Sequence, residues 1–359
     1  MEKIGLDGSF MSLSKLAGTQ KNSEPFRAAG MAEAVDILIG SLEKHKEFEN
    51  LAAIGHRIVH GMKHGQAELI SDALLEELQN IRSYDPDHLP GEIALIKAFR
   101  NKYPHLPQVA SFDTAFHSAL PRVARLMPIP RRFDQQGFMR YGFHGLSYSY
   151  LMQTLAGLNE PAAEKGRIIL AHLGNGASMA AVLAGKCVDT SMGFTATGGF
   201  MMGTRPGDLD PGMMAIIMKK ESFTTDQYND LINHQCGLLG VSETSPDMQD
   251  LLKTESKDIR AAEAISLFCY QVKKWIGSFT SVLSGLDVLV FSGGIGENAP
   301  SVRARICEGQ SFMGIELDEK LNNKNATIIS KKDSPVIVYV IPTDEEVMIA
   351  KNTRLVLSI

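Results

Sequence analysis

Apolar residues recur at intervals of three and four along several segments of the chain, which is typical of helices that bury one face. The longest such stripe comprises Ile265, Phe268, Val272, Ile276, Phe279 and Leu283, and Gly285 ends it. The predicted helices span residues 31–42, 71–82 behind a Ser71 cap, 92–100, 261–284 and 301–308. A last helix is predicted after Thr343, because Thr343 and Glu346 have the spacing of a capping box.

Short continuous apolar runs between glycine or polar breaks predict buried strands. These runs span residues 109–113, 168–170, 179–183, 187–188, 287–291 and 336–341. Glycine turns at 174–176 and 185–186 directly join three of these runs, namely 168–170, 179–183 and 187–188. We therefore expect those three runs to form an antiparallel meander.

Composition and charge narrow the class of protein. The 359 residues are too many for one core and suggest two domains, while 44% hydrophobic and 21% charged residues describe a soluble globular protein. The net charge of −5 gives no reason to expect nucleic acid or an anionic membrane as a partner. The four cysteines are scattered, which fits reduced thiols rather than disulfides or a zinc site. With neither a membrane-spanning run nor a secretory leader, we expect a cytoplasmic protein.

Three histidines, His56, His60 and His64, stand four residues apart, a spacing that would align metal ligands on a helix. Gly55, Gly61 and Gly65 oppose a helix, and the glutamate of a His-Glu-x-x-His site is absent. We therefore expect a strand or loop that carries Arg57.

The turn Gly174-Asn175-Gly176 comes directly after an apolar strand and is the most informative stretch of the chain. Two glycines without Cβ atoms allow the backbone to approach a bulky anion, and His172 and Ser178 add an imidazole and a hydroxyl. An Asn-Gly pair is also the commonest hairpin signal. A phosphate-binding turn and an ordinary hairpin both fit this stretch.

Three further polar residues lie in settings that suit chemistry as well as structure. Asp113 ends a predicted strand, where it is either a catalytic carboxylate or a helix cap. His144 lies in a glycine-rich stretch, where a satisfied structural histidine is the commoner case. Arg205 lies in a loop of glycines and acids that either binds an anion, with Asp208 as a brace, or forms a solvated turn with an internal ion pair.

Two stretches near the C-terminus also have two interpretations. The strand ending at Phe291 leads into Ser-Gly-Gly-Ile-Gly-Glu-Asn and a helix, which is either an anion-receiving turn or a tight turn that needs glycine. Glu345 is either an acid that the helix dipole favours or a ligand of a divalent cation.

Taken together, these motifs resemble the acetate kinase family through nearly the whole chain. The matching segments are 55–61, 112–117, 140–145, 172–176, 202–205 with 207–211, 292–298 and 342–346. The resemblance implies an α/β fold of the sugar kinase and actin type, related to ribonuclease H, with two domains and a nucleotide cleft between them. It implies residues 1–112 with 347–359 as one domain and 113–346 as the other. A homodimer that uses ATP and Mg²⁺ is also implied.

The resemblance assigns roles to individual residues. Arg57 and Arg205 are expected to hold the carboxylate and the transferring phosphoryl group, and His144 to hydrogen-bond the equatorial oxygens of that group. Asp113 matches the family's catalytic acid position or orients an arginine, and Glu345 matches the Mg²⁺ position. The nucleotide-binding positions are His172, Leu173, Gly174, Asn175, Gly176, Asp247, Met248, Gln249, Gly294, Ile295, Gly296, Glu297 and Asn298.

The sequence departs from the family in four places. The family opens with a strand and an Asn-x-Gly-Ser-Ser-Ser loop, whereas residues 2–8 here resemble the family's segment after its first hairpin. Near the acyl pocket, the family's Pro-Leu-His-Asn-Pro is Arg-Ser-Tyr-Asp-Pro here, at residues 82–86. The family's Thr-Pro-Leu-Glu-Gly, in the wall of the same pocket, is Thr-Ala-Thr-Gly-Gly at residues 195–199. Its Asp-Met-Arg near the adenine is Asp247-Met248-Gln249, which lacks the cationic side chain.

From this resemblance we expect reversible phosphoryl transfer from ATP to acetate, giving acetyl phosphate and ADP. Because the residues of the acyl pocket differ, propionate or butyrate is an alternative acceptor. Because the family's first strand and loop have no counterpart, a catalytically impaired nucleotide-binding protein is a second alternative.

Overall fold

A computed structural model describes residues 10–13 and 22–359 of the chain. The chain divides into two units, one formed by Met1–Ala115 with Asp344–Ile359 and the other by Phe116–Thr343. The sequence placed Asp113 and Glu345 in the second domain, whereas this division places both in the first unit with Arg57. Residues 2–8, which carry the expected departure at the N-terminus, lie outside the described residues.

The described residues form strands and α-helices with the following bounds. The strands are β1 (Phe10–Leu13), β2 (Asn22–Pro25), β3 (Ile54–Ile58), β4 (Glu68–Leu69), β5 (Gln108–Phe112), β6 (Arg167–Leu173), β7 (Ala177–Leu183), β8 (Lys186–Thr190), β9 (Val288–Ser292) and β10 (Ile337–Val340). The helices are α1 (Met31–Leu42), α2 (Asp72–Asn80), α3 (Leu89–Lys102), α4 (Arg122–Arg125), α5 (Arg131–Asp134), α6 (Gly145–Gly157), α7 (Ala162–Lys165), α8 (Pro211–Glu221), α9 (Thr225–Asp230), α10 (Gly237–Ser242), α11 (Met248–Thr254), α12 (Ile259–Val282), α13 (Gly293–Asn298), α14 (Pro300–Cys307), α15 (Glu319–Asn323) and α16 (Glu345–Leu357).

The first unit contains a three-stranded sheet in the order β3-β5-β4, in which β3 and β5 are parallel. Leucine and isoleucine side chains of α2 and α3 bury the apolar residues of β3 and β5, and they form one core with Phe112. Two parallel strands end at the same edge of a sheet. The register pairs Arg57 with Ser111, so Arg57 and Asp113 lie close to the same edge.

The second unit contains a five-stranded sheet in the order β10-β9-β6-β7-β8. β6, β7 and β8 form the predicted antiparallel meander, and β9 joins β6 in parallel. Side chains of α6 and α7 pack with the apolar residues of β6, β7 and β9 in one core. The helical stripe predicted at 261–284 is confirmed by α12, which contacts β6 and β7.

Most predicted elements are confirmed within a few residues, and two differ for a local reason. The Ser71 cap is confirmed, because its hydroxyl accepts a hydrogen bond from the Leu74 N–H at 3.1 Å. The predicted capping box of the last helix is wrong, because Asp344 is the cap and accepts from the Val347 N–H at 2.9 Å. The glycine stretch after β9 is itself a helical turn, α13, instead of an open loop. Among the described residues, no helix combines the length and apolarity that crossing a membrane requires.

Candidate active site

Arg57, Asp113 and Glu345 form a charged cluster in the first unit. The Arg57 guanidinium donates to one carboxylate oxygen of Asp113 through Nε at 3.1 Å and Nη2 at 2.5 Å. Its Nε also lies 3.5 Å from a Glu345 carboxylate oxygen. The Asp113 side chain is fully buried, whereas 38% of the Arg57 side chain is exposed. Asp113 thus holds the Arg57 guanidinium from the buried side, and an anion in solution can still reach the exposed part of the Arg57 side chain.

The cluster has the donor chemistry of a magnesium site that is completed by phosphate. The second carboxylate oxygen of Asp113, Oδ1, is buried without a hydrogen-bond partner. No group of three metal-ligating side chains occurs in the described part of the chain. Mg²⁺ is commonly held by one or two carboxylates, with phosphate and water oxygens at the other positions. Asp113 and Glu345 therefore fit that ion.

The protonation of Glu345 depends on its neighbours. Burial and the adjacent Asp113 carboxylate raise the pKa of Glu345 to about 7, although Arg57 acts in the opposite direction. The Asp113 charge in turn raises the pKa of Arg57 above its ordinary value. At neutral pH the guanidinium therefore stays charged.

Glu92 belongs to the same surroundings, and the sequence reasoning missed it. Burial raises the pKa of Glu92 to about 8, against the opposing charge of Arg57. Its carboxylate oxygens accept from the Val59 N–H at 3.2 and 3.3 Å. The signal was present in the sequence, because Glu92 lies three positions after Leu89 and four before Ile96, both buried on α3.

We expect Glu92→Gln to stabilise the first unit at alkaline pH. A folded pKa above the unfolded value means that the folded state binds the extra proton, so stability falls as pH rises from about 4.5 to about 8. Glutamine keeps an oxygen for the Val59 N–H and removes the charge. After a discount for solvent screening, the gain is about 2 kcal/mol above pH 8 and near zero at pH 5. Thermal unfolding of both proteins at the two pH values measures it. A pH-independent difference would contradict the buried-charge explanation.

In the second unit, the two predicted phosphate-binding stretches lie side by side. β6 and β9 run parallel with His172 opposite Ser292, so the turn at 174–176 and helix α13 begin at the same edge of the sheet. A Cβ placed on Gly174 would lie 3.9 Å from the Gly294 nitrogen. The structure thus brings together two stretches that more than one hundred residues of sequence separate.

The side chains of Arg205 and His144 converge on Gly176. A Cβ on Gly176 would lie 2.8 Å from Arg205 Nη2 and 3.3 Å from His144 Nε2. The same turn is hydrogen-bonded to the loop that carries Arg205, called here the arginine loop. The Gly203 N–H of that loop donates to the Asn175 carbonyl at 2.9 Å. A partly exposed glycine turn, a guanidinium and an imidazole nitrogen therefore lie close together, and this arrangement suits an anionic group.

Backbone contacts hold the arginine loop in place. The Met202 N–H donates to the Arg205 carbonyl at 2.8 Å. Gly237 adopts a φ of +64°, and a Cβ there would lie 2.2 Å from the Met202 carbonyl oxygen, so only glycine fits. Asp208 accepts from the Gly199 N–H at 2.8 Å, which is the bracing role that the sequence suggested for it.

The last two predicted residues of α13 contact the protein itself. The Glu297 carboxylate accepts from the Gly293 N–H at 2.9 Å and from the Thr343 N–H at 3.2 Å. The Asn298 side chain donates to the Gly294 carbonyl at 3.1 Å. Both side chains therefore shape the turn, and the exposed backbone of Gly294 is the part that a ligand can approach.

A buried arginine that the sequence reasoning missed also shapes α13. Arg303 is fully buried and donates to the carbonyls of Gly296 and Glu297 at 2.8 and 3.0 Å, and to the side chain of Asn322 at 2.8 Å. It fixes the end of α13, in which Gly296 is buried and Ile295 half-buried. No local pattern distinguishes this arginine from a surface one, because its partners come from α13, from α15 and from Asn325 just after α15.

The remaining predicted nucleotide-binding residues differ in exposure. Leu173 is fully buried in β6, and Met248 is 3% exposed in the core. Asp247 caps α11 by accepting from the Gln249 N–H at 2.7 Å, and Gln249 is exposed. Of these four residues, Asp247 and Gln249 have side chains that a ligand could reach without a change in the core.

Known proteins share both the sequence pattern and the fold of this chain. The sequence model of the acetokinase family matches residues 1–351. The chain belongs to this family. It is therefore a kinase whose phosphoryl acceptor is a carboxylate, and the acetate-kinase expectation from the sequence is confirmed at this level.

Relatives in the family match over most of their length. An acetate kinase from Clostridium botulinum is 39% identical over 98% of this chain and 92% of its own length. One from Rhodopseudomonas palustris is 43% identical over 89% of this chain and 81% of its own.

Two solved structures show the same fold. The acetate kinase of Porphyromonas gingivalis superposes with a TM-score of 0.86 at 36% identity, covering 99% of this chain and 92% of that one. A propionate kinase from Francisella tularensis superposes with a TM-score of 0.89 at 34% identity, covering 98% and 90%. The α/β fold expected from the family resemblance is thereby confirmed.

Proposed function

We propose that this chain transfers the γ-phosphoryl group of ATP reversibly to acetate, giving acetyl phosphate and ADP with Mg²⁺. The observation that carries this proposal is the convergence of Arg205 Nη2 and His144 Nε2 on Gly176 of the hairpin turn. Phosphoryl transfer between two anions needs positive charge and alignment more than covalent chemistry. A cation and a hydrogen-bond donor at a turn open to phosphate supply both.

The other residues complete this assignment. The turn at 174–176 and the exposed Gly294 bind the phosphates of the nucleotide, and Asp247 and Gln249 lie at its adenine. Arg57 holds the acceptor carboxylate, since 38% of its side chain is exposed and Asp113 anchors its guanidinium. Asp113 and Glu345 hold Mg²⁺, which neutralises charge on the phosphate oxygens when it is bound. The ion pair with Arg57 supports the arginine-orienting role of Asp113 over that of a neutral acid.

Propionate is the second candidate acceptor. The family's Pro-Leu-His-Asn-Pro is replaced at 82–86 and its Thr-Pro-Leu-Glu-Gly at 195–199, so the acyl pocket has lost leucine and proline side chains. A propionate kinase is also among the similar structures. An extra methylene in an apolar pocket changes specificity by about 10- to 200-fold.

A hydroxamate assay across acetate, propionate and butyrate tests both candidates. We expect acyl phosphate from all three acids, with the highest kcat/KM for acetate. A kcat/KM for propionate at least tenfold above that for acetate would identify a propionate kinase. No hydroxamate from any acid, from a folded protein that still binds ATP, would overturn the proposal in favour of a non-catalytic nucleotide-binding protein.

We also propose that the chain acts in the cytoplasm as a homodimer, as the resemblance implies. All four cysteines, Cys187, Cys236, Cys269 and Cys307, are free thiols, which suits a reducing compartment.

A further inference from the structure

Two imidazole rings lie stacked beside the hairpin turn of the second unit. The rings of His144 and His172 have centroids 4.4 Å apart and planes inclined by 20°. The Nδ1 atom of His144 lies 2.9 Å from the Ser178 hydroxyl, and that of His172 lies 2.9 Å from the Ser147 hydroxyl. Both rings therefore use Nδ1 for a serine hydroxyl.

The opposite ring nitrogens point toward the turn. His144 Nε2 lies 3.3 Å from the Cβ position of Gly176, and His172 Nε2 lies 3.8 Å from that of Gly174. The proton that each ring carries on Nε2 or Nδ1 thus decides whether the turn meets a donor or a lone pair.

A second hydroxyl group is hydrogen-bonded to each serine hydroxyl. The Tyr148 hydroxyl lies 2.5 Å from the Ser178 hydroxyl, and the Thr343 hydroxyl lies 2.8 Å from that of Ser147. Tyr148, Ser178 and Ser147 are buried completely. Each histidine is thus the end of a three-membered chain of hydrogen bonds.

We propose that the Tyr148–Ser178 and Thr343–Ser147 hydroxyl pairs are positioning groups that hold His144 and His172 as neutral imidazoles protonated on Nε2. A phenol is a stronger hydrogen-bond donor than an aliphatic hydroxyl, so Tyr148 donates to Ser178. Ser178 has one proton, which it donates to Nδ1 of His144. The ring proton then stays on Nε2. In the same way, the Thr343 hydroxyl donates to the Ser147 hydroxyl, and Ser147 donates to Nδ1 of His172.

This arrangement suits the chemistry of the turn, and at this step the inference rests on the proposed function. A phosphoryl oxygen at Gly176 would meet the Arg205 guanidinium and the N–H of His144. The opposite tautomer would present a lone pair to that oxygen, and a doubly protonated ring would place a second positive charge beside the guanidinium. The hydroxyl pairs therefore supply a fixed donor without a further charge, which is the condition for electrostatic stabilisation of a transferring group.

Nitrogen-15 spectra of the free protein with labelled histidine test the tautomers without reference to catalysis. His144→Gln and His172→Gln assign the signals. We expect Nε2 of both rings to be protonated and Nδ1 to be an acceptor in the wild-type protein. Ser178→Ala and Tyr148→Phe should give mixed tautomers at His144 and leave His172 unchanged, while Ser147→Ala should do the reverse. The serine variants are thus matched controls for one another.

Kinetics of the same variants measure the consequence. Loss of one net hydrogen bond predicts about a tenfold lower kcat for Ser178→Ala, with KM for ATP and the acid within about twofold. Tyr339→Phe is the control, because it removes another buried phenol hydroxyl, which donates to Glu160 at 2.7 Å, and should change neither the His144 signals nor kcat.

The outcomes separate this proposal from the proposed function. Wild-type signals with Nδ1 protonated, or serine variants that leave both tautomers unchanged, would overturn the positioning role while acyl-phosphate formation stands. If both rings are protonated on Nε2 but the protein phosphorylates no acid, the proposed function is overturned. The hydroxyl pairs then only hold the two rings in place.

Discussion

Arg205→Ala should lower kcat/KM for acyl-phosphate formation by about 10²- to 10³-fold, the usual effect of removing one donor from a transferring charged group. The guanidinium is held by a 2.6 Å hydrogen bond from Nη1 to the Ala196 carbonyl, which leaves Nη2 at Gly176. Alanine removes the charge while the loop backbone remains held by its own hydrogen bonds. The hydroxamate assay on the purified variant measures the loss.

The matched control is Arg122→Ala, also in the second unit. Arg122 forms an exposed ion pair with Asp134, and such pairs contribute little to stability or function. We expect its activity to stay within about twofold of wild type. An Arg205→Ala protein with near-normal kcat/KM would remove Arg205 from the proposed site.

Asp113→Asn should have an effect of similar size in the first unit. The substitution keeps the shape of the side chain, removes the charge that orients Arg57 and replaces a buried carboxylate oxygen with an amide group. We expect kcat to fall about 10²- to 10³-fold and the Mg²⁺ concentration for half-maximal rate to rise. Asp72→Asn is the control, because Asp72 pairs with Arg100 while its own side chain is fully exposed.

A double-mutant cycle with Arg57→Gln separates the two roles proposed for Asp113. If Asp113 acts only by orienting the guanidinium, the double variant loses little more activity than Arg57→Gln alone. If it also holds Mg²⁺, the two losses multiply and the change in Mg²⁺ dependence persists in the double variant. Wild-type kinetics for Asp113→Asn would contradict both roles.

Part of the candidate site was readable in the sequence because its chemistry is local. Glycine at 174 and 176 leaves a turn open to an anion, and the meander around it results from apolar runs joined by glycine turns. The segment that carries Arg57 was expected to be a strand or a loop, because glycines near the histidines oppose a helix, and the structure shows it as strand β3.

Other parts depend on partners far away in the chain. Arg57 and Asp113 are 56 residues apart, and the parallel pairing of β3 and β5 brings them together. The same holds for Arg303, whose carbonyl and side-chain partners are on α13, on α15 and at Asn325 just after α15. Sequence spacing contains no information about such pairs when no local period links them.

The sequence by itself determined the element types, the glycine turns and the residues able to do the chemistry, because these depend on backbone freedom and the repeat of apolar positions. Only the tertiary structure decided which of those residues are brought together and how they are held. Burial raises the pKa of Glu92, and the contact of His144 Nδ1 with the Ser178 hydroxyl leaves Nε2 of that ring facing the turn. The physical reason is that desolvation and hydrogen-bond direction depend on neighbours in space, which folding supplies.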